Sequence, residues 1–251
     1  MKISIHMPAY NAEETIVSAL KSLLRQRNAG QLEIIVVDDG STDRTGDVVR
    51  GMAASAREIK LITIDHGGIS KARNAALRAT APDADVVGFL DADDLSPEGR
   101  YAHDVAMLQA DPSLQVILSK VRFFDREDTA KLAPSAGSHA VDGRIVHLGA
   151  TLLRRGLVDG VAFDETLMQS EDLDFMLRVL EPRPKYALSD QIGVFYRKNH
   201  GSITENRRQM RQELMKALFR ARKRQARPGP VFLPDGLFSL DHMPELLTWV
   251  K

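Results

Sequence analysis

The sequence predicts an α/β protein built on a mostly parallel sheet with helices on both faces. Short apolar runs rich in Ile and Val alternate with segments of helical period through the first 95 residues. A Pro or an Asp follows each of these apolar runs. Three strand-to-helix repeats in so short a stretch are typical of right-handed parallel β–α–β units.

The first half of the chain contains four predicted strands and three predicted helices. The strands cover residues 3–7, 33–37, 59–64 and 86–90, and the helices cover 13–26, 45–55 and 70–79. In the first helix, Ile16, Leu20 and Leu23 recur at helical spacing. Asn11 is the predicted cap of that helix.

The second half of the chain is less regular. Its predicted elements are a helix over 97–108, a strand over 115–124, a mobile loop over 126–143, a short helix over 150–155, a helix over 171–180, a strand over 186–196 and a helix over 205–227. The last twenty residues have no clear pattern. We therefore expect the regular sheet to lie mainly in the first half.

Composition and charge exclude several classes of protein. The 251 residues carry 34 basic and 34 acidic side chains, so we predict no nucleic-acid partner. The absence of cysteine excludes disulfides and thiolate metal sites. No signal peptide and no apolar run of about 20 residues is visible, which predicts a cytoplasmic location.

The helix over 205–227 has an unusual charge balance, with nine Lys and Arg against two Glu. A basic amphipathic helix can bind an anionic membrane surface, so peripheral contact with the inner face of the membrane is one interpretation. A solvated helix face is the other.

Three carboxylates follow the apolar strand over 86–90. Asp91 and Asp93 are two residues apart, so they point to the same side if the backbone stays extended. Ligands of open α/β sheets bind at the carboxyl ends of the strands, and Mg²⁺ or Mn²⁺ relieves the repulsion between neighbouring carboxylates. An exposed acidic turn is the alternative interpretation. In the metal-site interpretation, Asp94 is expected to support the turn.

Five segments, in order, carry a resemblance to a known family. They are Pro8-Ala9-Tyr10-Asn11, Val37-Asp38-Asp39-Gly40-Ser41-Thr42-Asp43, Gly67-Gly68-Ile69-Ser70-Lys71-Ala72-Arg73-Asn74, Leu90-Asp91-Ala92-Asp93-Asp94 and Ser170-Glu171-Asp172. Over about residues 3 to 200 the chain resembles the family 2 glycosyltransferases, which implies the nucleotide-sugar-binding GT-A fold. The implied division is a GT-A domain over 1–204, with a nucleotide-binding half (1–95) and an acceptor-binding half (96–204), followed by a helical appendage over 205–251.

The resemblance also implies roles for individual residues. Those implied to bind the nucleotide sugar are Pro8, Ala9, Tyr10, Asn11, Glu13, Asp38, Asp39, Gly68, Lys71, Arg73, Asn74, Asp91, Ala92 and Asp93. Asp91, Asp93 and His200 are the implied contacts of a divalent cation, Mn²⁺ or Mg²⁺, that bridges the donor diphosphate. Asp172 is the implied general base, with Glu171 second and Asp174 third.

The chemistry of these residue types is compatible with such roles and with simpler ones. The ring of Tyr10 can stack on a nucleobase or cover the first helix. Asp38 and Asp39 can accept hydrogen bonds from a base or ribose, or they can form a turn that caps the next helix. The Arg73 guanidinium can engage a phosphate, a neighbouring Asp or solvent, and Ser170 can simply cap a helix.

The resemblance implies transfer of a single sugar, with inversion, from a nucleoside-diphosphate sugar to an acceptor hydroxyl. UDP is the favoured nucleotide, and the implied acceptor is a glycan or a lipid-linked glycan of polysaccharide, cell-surface glycan or glycolipid synthesis. The Gln-x-x-Arg-Trp segment of processive synthases is missing, because the only Trp is Trp249.

Three alternatives remain open at this point. One is a protein that binds a nucleotide sugar without transferring it. Another is a sugar-phosphate nucleotidyltransferase, although residues 8–12 lack the glycines of a phosphate-binding loop. The third is a phosphatase with an Asp nucleophile, although here the Asp pair follows the fourth strand rather than the first.

Overall fold

A computed structural model of the chain describes residues 1–167, 169–198, 207–224 and 231–237. Its strands are β1 (Lys2–Ala9), β2 (Gln31–Asp38), β3 (Ile59–Thr63), β4 (Val86–Phe89), β5 (Val116–Phe124), β6 (Glu127–Asp128), β7 (Ala133–Pro134), β8 (Ala140–Gly143), β9 (Thr151–Arg154) and β10 (Tyr186–Arg197). Its α-helices are α1 (Ile16–Leu24), α2 (Thr45–Ala53), α3 (Ile69–Ala79), α4 (Arg100–Ala110), α5 (Glu171–Leu180) and α6 (Arg207–Arg224).

An eight-stranded sheet in the order β10-β5-β9-β4-β1-β2-β3, with β8 paired to β5, forms the centre of the molecule. The pairs among β1, β2, β3 and β4 are all parallel, as predicted. The strands β5 and β10 are also parallel to each other. The carboxyl ends of β1, β2 and β4 therefore meet at one edge of the sheet.

Helices cover both faces of this sheet. Neighbouring residues of a strand point to opposite faces, and in β2 both sets are apolar and buried. Ile34 and Val36 of β2 belong to a large apolar cluster with α1 and α4. Ile35 and Val37 pack instead against α3. The ring of Phe89 in β4 packs with α5 in a further cluster. The mostly parallel, doubly covered sheet predicted from the sequence is confirmed.

Two predictions for the second half of the chain are wrong. Residues 150–155 do not form a helix, since Thr151–Arg154 is strand β9 and pairs antiparallel with both β4 and β5. Its apolar run is too short for its period to distinguish a buried strand from a helix. The segment 126–143 is not a single irregular loop, because β6 and β7 form a hairpin and β8 pairs with β5.

Contacts with residues outside 126–143 explain why that segment is structured. The guanidinium of Arg25 donates to the carbonyl oxygens of Lys131 and Leu132, at the tip of the hairpin. Arg122 of β5 forms a two-bond ion pair with Asp142 of β8. Neither partner is close in sequence, so local composition did not reveal the pairing.

The helix α6 packs against α5. Ala221 shares an apolar cluster with Leu173 and Leu177 of α5. Arg224 donates to Asp174 of α5 at 3.0 Å. Within the described residues, no helix is long and apolar enough to cross a membrane.

Candidate active site

The candidate site lies at the edge where β1, β2 and β4 end. Pro8 and Ala9 are the last residues of β1 and pair in register with Val37 and Asp38. The backbone N–H of Asp39 donates to the carbonyl of Ala9 at 2.8 Å. The first two predicted segments are therefore adjacent in space.

Side chains of residues 11–13 fasten the loop after β1 to the loop after β2. The amide oxygen of Asn11 accepts from the backbone N–H of Thr42 at 2.8 Å. Glu13 accepts from the backbone N–H of Arg44 at 3.0 Å. Asn11 therefore does not cap α1, which begins at Ile16. Both side chains, predicted to bind the donor, are used to hold these loops together.

Asp38 and Asp39 are buried, and each accepts hydrogen bonds from backbone N–H groups. Asp38 accepts from the backbone N–H of Ser41 at 3.0 Å. Asp39 accepts from the backbone N–H groups of Gly67 and Gly68 at 2.9 and 2.8 Å. The φ of Gly68 is +88°, a conformation that favours glycine. Asp39 thus fixes the turn that precedes α3.

Tyr10 and His66 form a stacked pair above this turn. Their ring centroids are 4.2 Å apart with an interplanar angle of 23°. His66 Nδ1 lies 2.9 Å from Asp39 Oδ2. The ring of Tyr10 is 46% exposed, so one of its faces is accessible to a planar ligand. The ammonium of Lys71 nearby donates to the carbonyl of Asp65.

Arg73 connects two of the predicted segments. Its guanidinium donates to Asp91 Oδ1 at 2.8 Å and to Glu171 Oε1 at 2.7 Å. It is 3% exposed, and the negative charges of Asp91 and Glu171 raise its pKa although burial opposes this. It also lies over the ring of Phe163. Arg73 therefore binds protein carboxylates, which is one of the possibilities the sequence left open.

Asn74 holds the loop that supplies Phe163. Its amide donates to the carbonyl of Phe163 and to Glu165, and its oxygen accepts from the N–H of Phe163 at 2.8 Å. Because Asn74 is buried and its amide groups are engaged, its contacts are structural.

Three acidic residues at the start of α5 have different surroundings. Glu171 is paired with Arg73. Asp174 is fully buried and accepts from both Arg178 and Arg224, which leaves it no route to a ligand. Asp172 accepts from the N–H of Leu173 at 2.7 Å. Burial, together with the negative charge of Glu171, raises the pKa of Asp172 to about 7.

The residues after β4 also differ from one another in exposure. Ala92 is buried. Asp94 is 1% exposed and accepts from the N–H of Arg197 at 3.0 Å, so it connects the turn after β4 to the end of β10. Asp93 is exposed at the rim. Protein atoms packed around part of its carboxylate reduce its hydration, and this, with the negative charge of Asp91, raises the pKa of Asp93 to about 6.

His147, which the sequence analysis did not single out, lies beside these carboxylates. One ligand atom each from Asp91, Asp94 and His147 lie within 4.8 Å of one another. His147 Nε2 is 3.9 Å from Asp94 Oδ2, too far for a hydrogen bond. A Cβ at Gly149 would lie 2.9 Å from the His147 ring, so glycine leaves the ring its space. A lone His before a segment predicted to be helical gives no sequence signal.

These residues fit a hard divalent cation. Asp94 Oδ2 has no hydrogen-bond partner among the described residues although Asp94 is buried. Burial lowers the pKa of His147 to about 4, which keeps the imidazole neutral and able to coordinate. The 3.9 Å between His147 Nε2 and Asp94 Oδ2 is within the separation of about 4.2 Å that two ligands, each about 2.1 Å from Mn²⁺ or Mg²⁺, can have. Of the predicted metal contacts, Asp91 lies in this cluster, Asp93 does not, and His200 lies outside the described residues.

Comparison with known proteins identifies the family. Residues 4–164 match the family described as Glycosyl transferase family 2. This match covers more than half of the chain, so the chain belongs to that family. The expected GT-A fold is confirmed by solved structures of glycosyltransferases with the same architecture.

Individual relatives are more distant. The chain is 29% identical over 229 residues to the uncharacterized glycosyltransferase EpsJ of Bacillus subtilis, covering 81% of this chain and 63% of EpsJ. It is 24% identical to the UDP-Glc:alpha-D-GlcNAc-diphosphoundecaprenol beta-1,3-glucosyltransferase WfaP of Escherichia coli, covering 82% of this chain and 80% of WfaP. The mannosyltransferase PcManGT of Pyrobaculum calidifontis, solved with GDP-Man and Mn²⁺, has a TM-score of 0.69 at 21% identity, covering 90% of this chain and 65% of that one. The chain therefore spans less than two thirds of EpsJ and of PcManGT.

Proposed function

We propose that the protein transfers a single sugar, with inversion, from a nucleoside-diphosphate sugar to an acceptor hydroxyl during cell-surface glycan synthesis. UDP is the favoured nucleotide, in keeping with the donor in the name of WfaP. We further propose that residues 1–95 bind the nucleotide, that 96–204 bind the acceptor, and that 205–251 form an appendage.

The observation that carries the proposal is the double ion pair of Arg73. This one guanidinium bonds to Asp91, at the end of β4, and to Glu171, at the start of α5. It therefore holds the carboxylates at the end of β4 next to Asp172. A donor bound at the sheet edge would present its anomeric carbon within reach of an acceptor beside Asp172.

Asp172 is the residue that suits the role of general base. Its pKa of about 7 is matched to proton transfer near neutral pH, whereas Glu171 is tied to Arg73. As the acceptor oxygen attacks the anomeric carbon, its proton passes to the Asp172 carboxylate. The new C–O bond forms as the bond to the nucleoside diphosphate breaks, and the leaving diphosphate takes the electron pair. Attack from the opposite side inverts the anomeric centre.

Asp91, Asp94 and His147 would hold the divalent cation, with Asp93 at the rim of the same site. When bound, the cation supplies Lewis-acid stabilisation of the leaving diphosphate. The exposed ring of Tyr10 would stack on the nucleobase. Fixing Gly67 and Gly68 through Asp39 keeps the turn before α3 in place for the diphosphate.

The acceptor we propose is a glycan carried by a lipid diphosphate, as in the name of WfaP. Such an acceptor is anchored in the membrane, so we propose that the protein works at the inner face of the membrane. The basic helix α6 would provide the peripheral contact.

Thermal unfolding with UDP, GDP and dTDP and their sugars, with and without Mn²⁺, tests donor binding. A ligand at a hundredfold excess over its Kd stabilises a folded protein by about 2.7 kcal/mol, so a true donor will be distinct. Transfer to a diphosphate-linked N-acetylglucosamine lipid would then be followed by mass spectrometry, and the product anomer by NMR. Binding without transfer to any acceptor would favour the non-catalytic alternative. No stabilisation by any nucleotide would refute the proposal.

A further inference from the structure

Two large apolar side chains are exposed on one face of α6. Met215 is 63% exposed and Phe219 is 60% exposed. They are four residues apart, so they are neighbours on the helix surface. Among the described residues, Tyr10 of the donor loop is the other large hydrophobic side chain with comparable exposure. The outer face of α6 is thus an apolar patch away from the active site.

The opposite face of α6 holds the helix on the protein without any help from this pair. Ala217 and Ala221 are buried against the body of the protein. Arg220 forms an ion pair with Asp164, and Arg224 forms ion pairs with Asp174 and Glu181. Met215 and Phe219 therefore contribute little to folding, although leaving them in water has an unfavourable free energy.

Cations surround the exposed pair. Lys216, Arg222 and Lys223 are exposed, and Lys223 Nζ lies 4.8 Å from the centroid of the Phe219 ring. Glu213, the acidic residue of α6, is 5% exposed and forms an ion pair with Lys216, whose side chain stays exposed. Between Gln212 and Arg224 the outer face is therefore apolar and basic, without an exposed carboxylate.

We infer that this Phe219 face, made of Met215, Lys216, Phe219, Arg222 and Lys223, binds the anionic surface of a phospholipid bilayer. Phe and Met would enter the boundary between head groups and acyl chains, while the cations contact lipid phosphates. The inference deepens the proposed function, on which it rests for the presence of a lipid-linked acceptor, by naming the surface and the lipid charge.

Two arguments favour a bilayer over a protein partner. Two side chains are far fewer than the 20 to 30 residues a side, on the order of 800 Å², of a stable protein interface. A symmetric dimer through this face would also bring the cations of one copy against those of the other, which disfavours association. A fluid anionic surface requires neither a large area nor shape complementarity.

The test is co-sedimentation of the whole chain with vesicles. Wild-type protein should bind phosphatidylglycerol–phosphatidylethanolamine vesicles at least tenfold more tightly than phosphatidylcholine vesicles, and less tightly in high salt. The double variant Lys216→Gln/Lys223→Gln should lose about tenfold or more in affinity for the anionic vesicles. Met215→Gln/Phe219→Gln should lose binding to a similar or larger extent. The control Lys21→Gln/Arg57→Gln removes two exposed cations elsewhere and should bind as the wild type does.

Several results would overturn the inference. Equal binding to neutral and anionic vesicles, or unchanged binding by both α6 variants, would do so. A dimer in solution that Phe219→Gln dissociates would show that the face is a protein interface. The Tm of each α6 variant, measured alongside, should lie close to that of the wild type. The four side chains changed on α6 are exposed, and the ion pair that Lys216 forms with Glu213 is partly solvated.

Failure of this inference can be separated from failure of the proposed function. The α6 variants should keep the thermal shift that a nucleotide sugar gives the wild type. Vesicle binding without any nucleotide-sugar shift would refute the transferase proposal and leave the membrane face standing. A nucleotide-sugar shift with no vesicle binding would refute the membrane face and leave the transferase proposal standing.

Discussion

The loops after β1 and β2 and the cluster beyond β4 (Asp91, Asp94 and His147) both present polar side chains, but they use them differently. In the loops, Asn11, Glu13 and Asp39 all bond to nearby backbone N–H groups. In the cluster, Asp94 Oδ2 and His147 Nδ1 have no hydrogen-bond partner within the part of the chain that the structure describes. A motif therefore mixes residues that build the loops with residues left available for a ligand.

The ionisation of carboxylates in and near the cluster is also unusual. Burial and neighbouring carboxylates raise the pKa of Asp93, Asp94 and Asp172. Such a set of unfavourably placed charges is typical of a site that binds a cation or moves a proton. Unpaired polar atoms and neighbouring like charges, rather than the motif itself, therefore distinguish the residues available for a ligand or a proton.

The largest effect on activity is expected at Asp172. Asp172→Asn should reduce transfer by roughly 10²–10⁴-fold while leaving donor binding and Tm near the wild-type values, because only proton removal is lost. In the wild type, kcat should rise with pH through about 7, since the carboxylate must be ionised to accept the proton. Transfer by the variant near the wild-type rate would place the base elsewhere.

The next largest effect is expected at His147. His147→Ala should weaken Mn²⁺ binding by at least tenfold, measured by the EPR signal of free Mn²⁺, because a neutral nitrogen ligand is removed. His103→Gln is the matched control, as that histidine also lies beside an aspartate but belongs to α4. Equal Mn²⁺ affinity of the His147 variant and the wild type would exclude the imidazole as a ligand.

Asp39 should behave as a structural residue. Asp39→Asn replaces an acceptor of two backbone N–H groups with an amide that can accept through only one atom. We expect a loss of about 1–3 kcal/mol in the free energy of unfolding, measured by denaturant titration. An Asp39 variant with unchanged stability but lost donor affinity would contradict the division between the two regions.

The smallest effect expected is on stability, at His6. Burial lowers the pKa of His6 to about 3, so the unfolded chain takes up a proton below about pH 6.5 that the folded chain does not. The contribution of His6 to the free energy of unfolding is therefore present above about pH 6.5 and is lost as the pH falls towards 3. Between pH 7.5 and 5.5 the free energy of unfolding decreases by about 1.4 kcal/mol. His6→Asn should flatten that part of the stability profile. Identical pH dependence in both proteins would refute it.

The sequence was sufficient for the parallel core because there local pattern and tertiary environment agree. The Ile and Val run of β2 is buried on both faces, as its continuity predicted. The prediction failed at β9, whose four residues are too few to show a period, and at β6 to β8, whose order depends on Arg25 and Arg122. Periodicity carries no information about such distant partners.

The candidate site was predictable at the level of segments but not of individual atoms. Asp91 and the start of α5 do share one edge, as the order of the motifs indicated. The contacts of Asn74 and Asp39 depend on backbone groups that lie close only after folding. His147 was missed for the same reason, since Asp94 approaches it from more than fifty residues away.

The position of β9 has a consequence for the order of assembly. Because β9 lies between β4 and β5, the strands β5 and β10 cannot join the sheet until residues 151–154 have been synthesised. The unit β4-β1-β2-β3 needs nothing beyond residue 89 for its pairings. On a ribosome, which delivers the N-terminal part first, the donor loops can form before the strands of the second half dock.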